Sequence, residues 1–227
     1  MVRGVFLKTF VMSLGIFVIG FFLGSVVEKS LTTDLNAKTQ AIENSIQDIE
    51  LESLYLLTSS NSSCIFLDDL VRRTNNNLDE LAGQLSGYDQ NKIVFTSVDL
   101  VNIKTKYTSL LVKDWLLQGS VNKNCNTNST TVLYFYKREG CSDCVVQGNI
   151  LTVLKQQFKE KVMIFPLDHD LGVSSVELLE SNYNVTSFPS VVINNELYSG
   201  IVGFGRLRGS VCSVITDEKC EISETPS

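Results

Sequence analysis

The chain has 227 residues, 44% of them hydrophobic, with 19 basic against 25 acidic residues and a formal net charge of −6. The basic residues form no patch or stripe, which argues against nucleic acid and anionic membrane surfaces as partners. The acidic balance is of the size that ordinary solubility requires.

The 19 positions from Thr9 to Val27 carry no charge, with Arg3 and Lys8 before them and Glu28 and Asp34 after. At 1.5 Å per residue this run reaches about 28 Å, enough to cross a hydrocarbon core. It predicts a single-pass transmembrane anchor over residues 1–29, its N-terminus cytoplasmic by the positive-inside rule and residues from about 28 onward extracytoplasmic. A cleavable signal peptide competes, but the apolar core is long for one and Gly24-Ser25 is a poor cleavage site. Gly20 and Gly24 form a GxxxG of the kind found on homodimer faces, a pattern that also arises by chance in apolar helices.

Residues 30–122 contain no proline and predict a helical stalk or three-helix bundle. Leu31, Leu35, Ile42, Ile46 and Ile49 make one apolar stripe. A second helix is expected from about Cys64 to Leu85, ending at the breaker Gly87-Tyr88-Asp89, and a third from about Ile93 to Gln118, with Gly119 as its stop. In an up-down-up arrangement the start of the second helix and the end of the third share one end, which predicts a Cys64–Cys125 disulfide. Cys212 and Cys220, eight residues apart, are then expected to pair and staple the tail, residues 217–227. The sequons at Asn61, Asn128 and Asn184 fit an exterior location but are common by chance in such a chain.

The motif with most chemistry is Cys141-Ser142-Asp143-Cys144. Thr131 to Tyr136 reads as a buried strand before it, and residues 145–158 read as a helix after it, with Ile150, Leu151, Leu154 and Phe158 on one face. A sulfur at a helix start faces unpaired N–H groups and the positive end of the dipole, which favour a thiolate, and a partner thiol beside it equips the pair for disulfide exchange. A second strand over 161–165, a helix from 174 to 182 capped by Ser174, a hairpin turning at Asn194-Asn195 and a closing helix over 205–215 follow. Pro189, in Ser187-Phe188-Pro189-Ser190, follows an X-Pro bond, the kind that is cheap to hold cis. Zinc binding at the Cys-x-x-Cys would need two further ligands at suitable spacing, and the other cysteines are scattered. A purely structural disulfide is the other bland alternative. His169 shows no catalytic partner in the sequence and reads as a surface loop residue.

This βαβ-α-ββ-α order, the Cys-x-x-Cys and the Tyr183 to Val191 segment together resemble the thioredoxin superfamily over residues 130–216. The resemblance implies an α/β domain with a central mixed sheet flanked by helices. It also implies a membrane-anchored extracytoplasmic thiol–disulfide oxidoreductase, with Cys141 as nucleophile, Cys144 as resolving thiol and Ser187, Phe188 and Pro189 receiving the substrate strand. Protein thiols and disulfides are the expected substrates, and a membrane or extracytoplasmic redox protein the expected electron partner. The disulfide itself is the redox group, so no metal or organic cofactor is expected. The sequence departs from the family in its Ser-Asp dipeptide, in Gly140 and in having no acid on the strand before Cys141. The last departure favours a second reading, a redox-inactive or redox-sensing binding module in a membrane complex. Asp143 beside the sulfur disfavours the thiolate and predicts a weaker oxidant than the DsbA type.

Overall fold

The computed structural model describes residues 10, 12–21, 44–55, 64–90, 97–125 and 127–221, and the chain divides into two units, residues 1–48 and 49–227. In the first unit, residues 10, 12–21 and 44–48 are helical. Among the described residues no helix is long and apolar enough to cross a membrane. The transmembrane helix expected within residues 1–29 is thereby corrected, and with it the single-pass topology and the split into cytoplasmic and extracytoplasmic parts. An uncharged run fixes hydropathy alone, whereas a membrane span also requires a helix of about 20 apolar residues. Gly24, Leu31, Leu35, Ile42, Asn61 and the residues after 221 lie outside the described residues.

The second unit begins with the end of helix α1 (residues 44–55), followed by α2 (Cys64–Gln90) and α3 (Ser97–Cys125). Ile49, Leu70 and Leu117, one from each helix, are buried against each other. A disulfide joins Cys64 to Cys125 with Cα atoms 5.6 Å apart, tying the start of α2 to the end of α3. Both helices outrun their expected ends: α2 passes Gly87 and α3 passes Gly119. A glycine inside a helix costs only about 1 kcal/mol, which packing of the long α2–α3 pair outweighs. Arg73 pairs with Glu52 and Asp69, and Lys113 with Glu50, adding ion pairs on the exposed flanks.

The rest is a mixed α/β layer. Its strands are β1 (Thr130–Tyr136), β2 (Val162–Asp168), β3 (Ser190–Ile193) and β4 (Glu196–Ser199), in the order β2-β1-β3-β4. β1 runs parallel to β2 and antiparallel to β3, and β3 antiparallel to β4. Helix α4 (Ser142–Phe158) makes the β1-to-β2 crossover and α5 (Ser174–Tyr183) connects β2 to β3. Helices α6 (Phe204–Cys212) and α7 (Glu218–Glu221) close the chain. Asn194 and Asn195 both take positive φ, 52° and 66°, as a two-residue hairpin requires. Ser174 does not cap α5: Val173 occupies that position and makes no side-chain cap bond.

Alternation along the strands divides the core. Val132 and Tyr134 join Leu151, Leu154 and Phe158 of α4 and Leu207 and Val211 of α6 in one buried cluster. Leu133, Phe135, Phe165 and Leu167, also buried, point to the opposite face, where α3 packs on β1, β2 and α5. A second staple, Cys212–Cys220, has Cα atoms 5.4 Å apart. Arg208 donates to the Lys219 carbonyl, and the Lys219 ammonium to the Gln157 carbonyl, so α7 is held against α4 and α6.

Candidate functional site

Parallel β1 and antiparallel β3 bring two loops to one end of the sheet. Phe135 pairs with Ser190, so Pro189 stands level with Tyr136, where β1 ends and the chain turns toward Cys141. Gly140 makes that turn at φ 68°, in the left-handed region that a side chain disfavours. Cys141 then caps α4, its Sγ accepting the Cys144 backbone N–H at 3.2 Å. The two cysteines are joined by a disulfide with Cα atoms 5.3 Å apart. Their environments differ: Cys141 is partly exposed, whereas Cys144 is 4% exposed.

The floor of the site is aromatic. Tyr134 Oη donates to the Cys144 carbonyl at 2.5 Å, and its ring stacks on Tyr136 with centroids 5.3 Å apart. Burial pushes both hydroxyls up to about 12, so they stay protonated as donors at neutral pH. One turn past Cys144, Gln147 is fully buried and its Oε1 accepts the Val202 N–H at 2.7 Å. That bond ties α4 to the segment between β4 and α6. The Gln147 Nε2 has no partner.

On the other side, Ser187 is exposed, Phe188 half-buried and Pro189 buried, with the Phe188–Pro189 bond cis. Ser190 Oγ donates to the Ser187 carbonyl at 2.7 Å, and Gly200 N–H to the Pro189 carbonyl at 2.8 Å. Lys137 Nζ lies 4.9 Å from the centre of the Phe188 ring, so the loop after β1 touches the loop before β3. The structure thus brings Cys141, Cys144, Ser187, Phe188 and Pro189 to one end of the sheet, while Cys64, Cys125, Cys212 and Cys220 form the two staples elsewhere.

Residues beyond those expected also face this end. Asp168 stands opposite Tyr136 at the end of β2 and binds Arg138 Nε at 2.5 Å. Burial pushes its carboxyl up, opposed by the Arg138 charge. β1 itself carries no acid, and this buried one on the neighbouring strand is paired with Arg138. Asp170 accepts the backbone N–H groups of Arg138 and Glu139, at 2.8 and 3.3 Å, and the Arg138 bond is the main cause that pulls its carboxyl down. His169 sits between them in sequence and contacts both Glu180 and Phe188. Asp168 ends β2 and His169-Asp170 follow it directly, the one local signal that could have marked these acids. Among the described residues no group of three or more His, Cys, Asp or Glu could hold a metal ion.

No protein-family model matches the chain, and no curated protein matches it. Among solved structures it is similar to a malarial protein, at 20% identity over 39% of this chain and 100% of that one, with a TM-score of 0.32. It is also similar to chloroplastic thioredoxin z, at 14% identity over 40% of this chain and 81% of that one, again with a TM-score of 0.32.

Proposed function

We propose that the protein is a thioredoxin-like thiol–disulfide oxidoreductase acting on protein thiols and disulfides. The observation that carries this reading is the asymmetry of the Cys-x-x-Cys pair: one sulfur is partly open at a helix N-terminus and the other is sealed behind it. Attack comes from the accessible member, and the N–H of Cys144 that points at Cys141 Sγ stabilises negative charge there.

In the reducing direction, the Cys141 thiolate attacks one sulfur of a substrate disulfide. A Cys141–substrate disulfide forms and one substrate thiolate leaves. The Cys144 thiolate then attacks Cys141 Sγ, closing the internal disulfide and releasing the second substrate thiolate. Two electrons pass from the protein dithiol to the substrate, and a partner dithiol restores them by the same steps. In reverse, the Cys141–Cys144 disulfide oxidises a substrate dithiol. The exposed residue Ser187 and the half-buried Phe188, anchored by buried Pro189, offer an extended substrate segment a place to lie and apolar contact.

Reduction of insulin by dithiothreitol, followed by turbidity, tests the reading. The protein is expected to accelerate it, and Cys141→Ala to remove the acceleration. No acceleration over dithiothreitol alone, with a folded protein, would favour the redox-inactive binding module that the missing β1 acid suggests.

A further inference from the structure

Phe188 is held from two sides. Its ring centre lies 4.6 Å from that of His169, tilted by 39°, with the Lys137 ammonium 4.9 Å away. Behind the imidazole, His169 Nδ1 lies 3.0 and 3.1 Å from the two carboxylate oxygens of Glu180 on α5. Glu180 is only 8% exposed, and a carboxylate at that depth needs a donor. A carboxylate offers acceptors alone, so this contact needs its proton on Nδ1. The imidazole cannot swing away from Phe188 without stripping the buried carboxylate of that donor. Two segments, after β1 and after β2, therefore converge on Phe188, at the end of the sheet that also carries the cysteine pair.

We propose that His169, oriented by Glu180, is a positioning residue that fixes Phe188 and so sets affinity for polypeptide substrates laid across residues 187–189, while taking no part in sulfur exchange. The inference rests on the exchange function proposed above. It assigns the His169–Glu180 pair to recognition of extended chains that present an apolar side chain next to the reacting cysteine.

Steady-state kinetics with two disulfides, insulin and the small hydroxyethyl disulfide, test it. His169→Ala and Glu180→Ala are each expected to raise KM for insulin about three- to tenfold, the range of one lost aromatic contact. Because the two residues act as a unit, the double variant is expected to add little. Glu180→Gln, which keeps an acceptor for Nδ1–H, is expected to stay near wild type. The rate with hydroxyethyl disulfide, which is too small to lie on Phe188, is expected to hold within about twofold in every variant, and that also reports an intact fold. An unchanged insulin KM in His169→Ala would overturn the proposal. So would a parallel fall with both disulfides, or a Glu180→Gln variant as impaired as Glu180→Ala. A wild-type protein inactive on both disulfides would instead remove the exchange function itself.

Discussion

Asp143 is exposed in the first turn of α4, two residues after Cys141. Its charge complements the helix dipole but opposes a thiolate at the same end. Asp143→Asn should therefore stabilise the reduced form and make the couple more oxidising, by roughly 10–20 mV, as read by equilibration against glutathione. On α3, Asp114 is 4% exposed with one carboxyl oxygen unpartnered, and burial pushes its carboxyl up to about 6 despite a bond to Gln118. The folded-state value lies above the unfolded one, so the folded state holds its proton more tightly. The stability linked to it is full below about pH 4 and is lost as pH rises through about 6. Asp114→Asn should thus raise stability at pH 7 by about 1–3 kcal/mol and leave it nearly unchanged at pH 4, measured from urea midpoints at both pH values. Residue-scale legibility was uneven. Cys141, Cys144 and Pro189 carry local signatures of spacing and backbone chemistry. His169 and Glu180 are eleven positions apart across a turn and a helix, and only the packing of α5 beside β2 makes them a pair.

At the scale of elements, the two staples close loops of very different size. Cys64–Cys125 spans 61 residues and Cys212–Cys220 spans 8. By chain entropy the first contributes about 4 kcal/mol and the second about 2.5. Cys64→Ala/Cys125→Ala should accordingly lower the urea midpoint more than Cys212→Ala/Cys220→Ala, and equal losses would show that the short staple acts through packing of α7. The strands and crossover helices follow from local pattern: β-branched and aromatic runs in β1 and β2, apolar positions three and four apart in α4, and paired asparagines in the β3–β4 turn. Helix ends were less legible. Gly87 and Gly119 look like stops because isolated glycines weaken helices, yet long-range packing along α2 and α3 carries both helices through them. The capping role expected of Ser174 fails similarly, because the entry into α5 is set by the Gly172 turn and Val173 rather than by a hydroxyl.

For the whole molecule, what matters is that the sheet order β2-β1-β3-β4 delivers the end of β1 and the start of β3 to one place. Chain order and motif spacing implied that convergence. The role of α3 in covering the sheet was not legible, since its polar positions resemble those of a solvated stalk helix. The uncharged N-terminal run misled for a related reason: composition measures affinity for an apolar medium and does not fix the length of a helix. The central claim is that Cys141 is the attacking sulfur and Cys144 the resolving one, and trapping tests it most directly. Reduced Cys144→Ser protein, mixed with oxidised insulin, quenched in acid and analysed by intact mass and peptide mapping, is expected to accumulate an insulin adduct on Cys141 alone. An adduct on another cysteine, or none while the protein remains folded with Cys141 reduced, would contradict the account.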